Sequence, residues 1–208
     1  MRTLTKECQQ KLTPDDALEL LKKGNQRFVS NLKISRNLLQ QVNETSEGQH
    51  PFAVILSCMD SRTSAELIFD QGLGDIFSIR IAGNVVNEDI LGSAEFGCKA
   101  IGAKIILVLG HTGCGAIQGA VNDVELGHLH FITSKIKRCL PRIKKLNPNS
   151  TPEDLCTQVT RENVLLGISD LKHRSSLLSE MAYQGEIRIV GGIYNVATGV
   201  VEFLEFQE

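Results

Sequence analysis

Two apolar segments, each followed by candidate metal ligands, constrain this chain more than any other feature. Residues 52–56 and 105–109 are short, uninterrupted and rich in β-branched side chains, which predicts strands buried on both faces of a sheet. Potential ligands and charged side chains follow both segments: Cys58, Asp60 and Arg62 after the first, and His111 and Cys114 after the second. Open α/β sheets bind their ligands at the carboxyl ends of their strands. The candidate chemistry therefore lies where such a fold places an active site.

The rest of the chain alternates between helix and strand patterns. Thr13 and Pro14 are a typical N-cap and first helical residue, so a helix should run from Pro14 to about Val29. Further predicted elements are a connector at 31–49, helices at 64–69, 87 to about 101, 115 onward and 152 to about 172, and strands at 76–81, 186–193 and 200–206. We predict an α/β fold, with a mainly parallel β-sheet flanked by helices, an N-terminal helical extension and a C-terminal strand hairpin.

The 208 residues are enough for one hydrophobic core. We predict a single domain over 1–208, with a helical arm and connector at 1–50 and the α/β core at 51–208. The 22 basic and 24 acidic residues give a net charge of −2, which argues against nucleic acid and anionic membranes as partners. No apolar stretch approaches the ~20 residues of a membrane span, and the start lacks the apolar core of a signal peptide. We therefore expect a cytoplasmic protein with a small-molecule substrate.

The ligand set itself points to a catalytic metal. The chain has six cysteines at irregular spacing, which favours free thiols or metal ligands over a disulfide framework. If the two strands are neighbours at a reversal of strand order, Cys58, His111 and Cys114 meet in one crevice. Two thiolates and an imidazole suit Zn²⁺, and three protein ligands leave a fourth position for water, as in catalytic zinc sites.

The residues around this set suggest how such a site could work. Zinc would lower the pKa of its bound water from about 15.7 toward ~7, which makes hydroxide available at neutral pH. Asp60, kept ionised by Arg62, could accept a hydrogen bond from that hydroxide and orient it. Alternatively, Asp60 could bind zinc as a fourth ligand and close the site. Gly115 begins a helix whose positive end would favour an anionic product.

The pattern Cys-x-Asp-x-Arg followed by Gly-His-x-x-Cys-Gly resembles the β-class carbonic anhydrases, from about Thr13 to the C-terminus. The resemblance implies one Zn²⁺ per subunit on the Cys58, His111 and Cys114 set, and a catalytic dyad of Asp60 and Arg62. It implies reversible hydration of CO₂ to bicarbonate and a proton. It also implies a homodimer or homotetramer whose N-terminal helix embraces the neighbouring subunit.

Four other positions are candidates for the substrate pocket. Gln49 matches a glutamine that reaches the pocket across the dimer interface in many members of this family. Phe77 and Phe96 match aromatic or apolar pocket positions, although a tyrosine often stands in place of Phe96. With Val85, the two phenylalanines could supply the apolar walls that a small apolar substrate needs. Members of the family that bicarbonate regulates share a tryptophan at the position of Ile55. The isoleucine here favours the subtype whose zinc site is constitutively open.

Two alternative functions remain open from the sequence. The same fold resembles hydrolases of carbon disulfide or carbonyl sulfide, which keep the zinc and change the substrate. A non-catalytic zinc or thiol protein would bind the metal without an open position, or would cycle Cys58 and Cys114 as a redox pair. The presence of Asp60 and Arg62 argues against the non-catalytic function, which has no need of them.

Overall fold

The computed structural model describes residues 3–204, and it contains a five-stranded sheet in the order β2-β1-β3-β4-β5. The strands are β1 (Ala53–Ser57), β2 (Ile76–Arg80), β3 (Ile105–His111), β4 (Arg188–Tyr194) and β5 (Val201–Leu204). The first four strands run parallel, and β5 pairs with β4 in the antiparallel direction. The predicted α/β fold and the C-terminal hairpin are confirmed. Residues 205 and 206, predicted to extend the last strand, lie outside the described residues.

The strand order explains how the two ligand-bearing segments meet. The chain passes from β1 to β2 on one side and then returns to place β3 on the other side of β1. Ala53 pairs with Ile105, and Ser57 pairs with Leu109, so β1 and β3 end at the same edge of the sheet. This reversal between β1 and β3 is the topological switch point at which open α/β sheets form a binding crevice.

Helices cover both faces of the sheet. They are α1 (Lys6–Lys11), α2 (Pro14–Val29), α3 (Leu38–Glu44), α4 (Ala65–Ile68), α5 (Glu88–Glu95), α6 (Gly115–Val121), α7 (His130–Lys137), α8 (Leu140–Leu146), α9 (Pro152–Arg174) and α10 (Ser176–Tyr183). Short 3₁₀ segments occur at Ala82–Asn84 and Gly127–Leu129, and α5 continues into a π-helical turn at Phe96–Ala100. None of the helices within residues 3–204 combines the length and apolarity required to cross a membrane.

An apolar layer of the core packs on each face of the sheet. Alternate residues of β1 and β3 face opposite sides, as expected for a period of two. Val54 and Leu56 pack in the layer with α5, α9 and α10, whereas Ala53 and Ile55 pack in the layer with α2 and α4. All residues of β1 and β3 are buried, which explains why their sequences are continuously apolar.

The N-terminal region is more structured than the sequence indicated. Helix α2 begins at the predicted residue, where Thr13 and Asp16 form a capping box. Its Ala17 and Leu21 are fully buried against the chain's own core. The connector predicted at 31–49 contains a further helix, α3, which Asn37 caps. An embrace of a second subunit by the N-terminal helix stays a prediction.

A buried ion-pair cluster fastens this connector to the core. Asp70, which is 4% exposed, accepts hydrogen bonds from Arg27 Nε and Arg36 Nη1, both at 2.5 Å, and from the backbone N–H of Ile34. Burial alone raises the pKa of the Asp70 carboxyl, but the hydrogen bonds from the two arginines outweigh burial and lower the pKa below its ordinary value. The charge of Asp70 therefore stabilises the folded state at neutral pH.

The substitution Asp70→Asn should lower the free energy of unfolding by about 3 kcal/mol at neutral pH, because it leaves the guanidinium of Arg36 without its buried, negatively charged partner. Asp70 has a positive φ of 45°, which asparagine also adopts in this chain, at Asn84 (43°) and Asn31 (53°). The variant therefore changes mainly the charge. Urea unfolding at fixed protein concentration and in the same buffer measures the effect.

The matched control is Asp123→Asn, which removes an exposed ion pair with Lys137 and should therefore cost much less stability than Asp70→Asn. Because the folded-state pKa of Asp70 is lowered, its contribution is complete above the ordinary value of about 3.9 and is lost as the pH falls through the lowered value. The difference between wild type and Asp70→Asn should therefore shrink on acidification. An equal loss of stability in Asp70→Asn and Asp123→Asn would contradict a special role for the buried cluster around Asp70.

Candidate active site

Three potential metal ligands meet at the carboxyl ends of β1 and β3. One ligand atom each from Cys58, His111 and Cys114 lies within 4.8 Å of the others, and the two sulfur atoms are 3.9 Å apart. Cys58 directly follows β1, His111 is the last residue of β3, and Cys114 is the N-cap of α6. All three side chains are at most 4% exposed. The structure thus brings together the predicted Cys₂His set.

The hydrogen bonding of His111 is consistent with a role for this residue as a metal ligand. Its Nδ1 lies 3.0 Å from the carbonyl oxygen of Thr112, so a proton on Nδ1 can donate to that oxygen. Its Nε2 is buried and has no hydrogen-bond partner among the described residues. An unpaired buried acceptor is costly, and metal coordination would satisfy it. A backbone carbonyl that holds the opposite nitrogen is the usual support of a metal-bound histidine.

The electrostatics of the two thiols also fit a cation. The hydrogen bond with Cys114 lowers the pKa of Cys58 below its ordinary value. The same contact with Cys58, together with burial, raises the pKa of Cys114 above its ordinary value. Without a metal, one thiolate therefore opposes the ionisation of the other. A divalent cation removes this conflict because it stabilises both thiolates.

Asp60 and Arg62 form a tight ion pair beside the ligands. Arg62 Nε donates to one carboxylate oxygen of Asp60 at 2.9 Å, and Nη2 donates to the other at 2.8 Å. Arg62 Nη2 also lies 3.4 Å from the carbonyl oxygen of Gly113, next to Cys114. The Arg62 hydrogen bonds lower the pKa of the Asp60 carboxyl well below its ordinary value. Asp60 is therefore an ionised acceptor, and Arg62 links the two ligand-bearing loops.

Two residues that the sequence did not single out hold the loop after β1. Thr63 Oγ1 donates to the carbonyl oxygens of Cys58 and Asp60, at 2.8 and 2.9 Å. Arg80 Nη2 donates to the carbonyl oxygen of Asp60 at 2.6 Å. Arg80 pairs in register with Ser57, the last residue of β1. Its charge at the carboxyl end of a predicted strand was the sequence feature that could have indicated a role near the site.

The two glycines around Cys114 have different roles. Gly113 has a φ of 66°, a left-handed conformation that favours glycine, so it makes the turn between His111 and Cys114 possible. Gly115 begins α6, as predicted, but a side chain there would meet no other atom within 4 Å. A role for Gly115 in binding an anionic product stays a prediction.

The predicted pocket residues fall into separate places. Val85 is 4% exposed and packs in the same cluster as Cys58 and Cys114. Phe77 and Phe96 contact each other, with ring centroids 6.5 Å apart, and line a different cavity between β2 and α5. Among the described residues that line this cavity, there is none of the three potential metal ligands.

Gln49 is exposed and lies beside the turn at Gly74. The role of Gln49 across a subunit interface, and the roles of Phe77 and Phe96 in the substrate pocket, therefore stay predictions.

Comparison with known proteins identifies the family. A family model described as carbonic anhydrase matches residues 53–201, which include all three ligands and the Asp60–Arg62 pair. The chain belongs to the carbonic anhydrase family. A carbonic anhydrase of Mycolicibacterium smegmatis is 34% identical over 193 residues, which cover 91% of this chain and 92% of that protein. Hydration of CO₂ is the general reaction of the family, and the carbonic anhydrase predicted from the sequence is confirmed.

Solved structures place the chain in the β class. The β-carbonic anhydrase CcaA is 27% identical and has a TM-score of 0.69, with 90% of this chain and 95% of that chain covered. A structure described as one of two tetrameric β-carbonic anhydrases from Sordaria macrospora is 23% identical and has a TM-score of 0.71, with coverages of 79% and 85%. The β-carbonic anhydrase resemblance inferred from the two motifs is thus confirmed.

Proposed function

We propose that this chain catalyses the reversible hydration of CO₂ to bicarbonate and a proton, with one Zn²⁺ per subunit held by Cys58, His111 and Cys114. The observation that carries the proposal is the convergence of these three ligand atoms within 4.8 Å, beside an Asp60 carboxylate held at both oxygens by Arg62. Two thiols and an imidazole are ligands that zinc favours, and three protein ligands are the number found in catalytic zinc sites.

Asp60, Arg62 and Val85 would have different roles in this reaction. Bound Zn²⁺ supplies a Lewis acid that lowers the pKa of water from about 15.7 toward ~7. The Asp60 carboxylate can accept a hydrogen bond from the O–H of the attacking nucleophile, which aims a lone pair of that oxygen at the carbon of CO₂. Arg62 keeps Asp60 ionised and fixes its orientation. Val85 offers an apolar surface near the ligands that suits an apolar substrate.

The position of Asp60 favours an open site. Both of its carboxylate oxygens accept hydrogen bonds from Arg62, and its side chain is 19% exposed. For Asp60 to bind the metal as a fourth ligand, it would have to leave these charge-assisted hydrogen bonds. The arrangement therefore supports the constitutively open subtype that Ile55 suggested.

Assembly and location are part of the same proposal. We expect a homodimer or a homotetramer, which the tetrameric Sordaria macrospora enzymes support by analogy. Exposed apolar side chains on α3, namely Leu38, Leu39 and Val42, are available for burial in such an interface. We also expect the protein to be cytoplasmic and to bind neither nucleic acid nor membrane, in keeping with its net charge of −2.

Stopped-flow measurement of CO₂ hydration tests the proposal directly. Purified protein of verified zinc content should hydrate CO₂ rapidly between about pH 6.5 and about 9, a range that brackets the ~7 expected for metal-activated water. Activity should disappear when a chelator removes the metal and return when Zn²⁺ is restored. The same preparation should be tested with carbon disulfide and carbonyl sulfide.

Each outcome of this experiment has a clear meaning. Zinc-dependent CO₂ hydration that exceeds hydrolysis of the sulfur compounds would support the proposal. Hydrolysis of carbon disulfide or carbonyl sulfide without CO₂ hydration would replace it with the hydrolase alternative. Inactivity of a fully zinc-loaded protein toward all three substrates would favour the non-catalytic alternative.

A further inference from the structure

Helix α9 contacts strand β3 next to His111 and also the turn at Ala82–Asn84. A methyl group placed on Gly110, the residue before His111, would lie 2.7 Å from Val164 Cγ2, so the helix packs directly on β3 there. One position before Val164, the buried Asn163 is 4% exposed. Its Nδ2 donates a hydrogen bond of 2.8 Å to the carbonyl oxygen of Gly83. The same helix therefore touches β3 next to His111 and the loop of Gly83.

Gly83 connects this helix to the metal ligands. Its backbone N–H points at Cys58 Sγ, with 3.4 Å between nitrogen and sulfur. Gly83 has a φ of 67°, and a methyl group at this position would lie 2.8 Å from Ile136 Cδ1. The turn is therefore closely packed, and its left-handed backbone favours glycine. A small change in the turn would move the N–H away from the sulfur.

The peptide group after Gly83 is held at both of its ends. Its carbonyl oxygen accepts from Asn163, and its N–H, which belongs to Asn84, donates to the carbonyl oxygen of Ile81 at 3.0 Å. With this peptide fixed, the N–H of Gly83 on the other side of the same α-carbon is directed at Cys58. The contact is buried, so water does not compete for the hydrogen bond.

We propose that Asn163 is a positioning residue for the metal centre, which acts through Gly83 to keep a backbone N–H donated to Cys58 Sγ. The hydrogen bond stabilises electron density on the sulfur and fixes the direction of its lone pairs. Outer-shell groups of this kind typically change metal affinity by about 10- to 100-fold when they are removed. The inference rests on the proposed function only in requiring a metal on Cys58, His111 and Cys114.

Cobalt substitution provides a readout that general destabilisation would not change. Wild-type protein loaded with Co²⁺ should show a sulfur-to-cobalt charge-transfer band. In Asn163→Ala and Asn163→Leu, the loss of the N–H contact should shift this band to longer wavelength, because the sulfur electrons are less stabilised. Zinc affinity, measured by competition with a chelator, should fall about 10- to 100-fold. The alanine variant leaves a cavity and the leucine variant fills it, so a shift in both isolates the lost hydrogen bond.

Asn25 supplies the matched control. It is also buried in a helix, at 5% exposure, and its Nδ2 also donates to backbone carbonyl oxygens, those of Ile68 and Gly199. Asn25→Ala should lower the stability of the fold and leave the charge-transfer band and zinc affinity unchanged. A band that stays in place in folded Asn163 variants, or that moves equally in the Asn25 variant, would overturn the proposal.

A second measurement uses the wild-type protein and does not depend on the folding of any variant. With ¹¹³Cd in the site and ¹⁵N in the backbone, the N–H of Gly83 should show a scalar coupling to the metal through the sulfur of Cys58. Absence of that coupling in a cadmium-loaded protein would also overturn the proposal. Metal spectra that follow the prediction without CO₂ hydration would remove the proposed function and leave this inference intact. CO₂ hydration by the wild type, with an unchanged charge-transfer band in the Asn163 variants, would support the proposed function and overturn this inference.

Discussion

Cys58→Ser should lose most of its zinc and nearly all of its CO₂ hydration. A serine hydroxyl is a much poorer zinc ligand than a thiolate, and only His111 and Cys114 would remain. We expect zinc affinity to fall by more than about 100-fold, beyond the 10- to 100-fold typical of outer-shell changes. Zinc content after dialysis and stopped-flow hydration measure the two effects on the same sample.

The chain offers a close control for this variant. Cys139 is also buried, at 7% exposure, and packs in the same apolar cluster as Cys58. Burial raises the pKa of Cys139 to about 11, so it is a neutral thiol outside the ligand set. Cys139→Ser should therefore keep its zinc and its activity while losing some stability. Full zinc retention by Cys58→Ser would mean that the ligand set is misassigned.

Asp60→Asn should keep its zinc and lose turnover by about 10²- to 10⁴-fold, the range expected for a group that controls a proton or its hydrogen bond in the transition state. The variant keeps an acceptor oxygen for the N–H of Arg62 but loses the negative charge. Its neutral amide would present a donor to the nucleophile about as readily as an acceptor. Zinc content, kcat and kcat/KM should be measured together, so that a loss of metal is separated from a loss of orientation.

Asp170 provides the corresponding control. It forms the same kind of two-point ion pair with Arg138, whose Nη1 and Nη2 donate to it at 2.7 and 3.0 Å, but it belongs to α9 and not to the ligand loops. Asp170→Asn should change stability and leave kcat near the wild-type value. Full activity of zinc-loaded Asp60→Asn would exclude the Asp60–Arg62 pair from the mechanism.

Much of the candidate site could be predicted because its parts are local in the sequence. Cys58 follows one apolar strand and His111 ends another, and the topology of parallel sheets brings such ends to a single edge. The Asp60–Arg62 ion pair was foreseeable because its partners are separated by one residue. Short-range patterns of this kind indicate both which residues form the site and at which end of the strands they lie.

The remaining contacts depend on packing that no local pattern encodes. Asn163 meets Gly83 only because α9 crosses behind the sheet, and an isolated asparagine within a helix gives no sign of its partner. Helix α3 was missed for a different reason: its Leu38 and Leu39 are exposed, whereas its polar Gln41 is 1% exposed. This reverses the usual relation between hydrophobicity and burial on which helix prediction depends.

The arrangement of the ligands has a consequence for biosynthesis. Cys58 leaves the ribosome well before His111 and Cys114, and the chain between them must complete a parallel crossover before β1 and β3 can pair. Asn163 on α9 and the neighbouring strand β4 emerge later still. A nascent chain therefore carries Cys58 as an ordinary thiol during most of its synthesis. We therefore expect metal capture to become favourable only when nearly the whole domain is available to fold, which would couple metal loading to synthesis of the later elements.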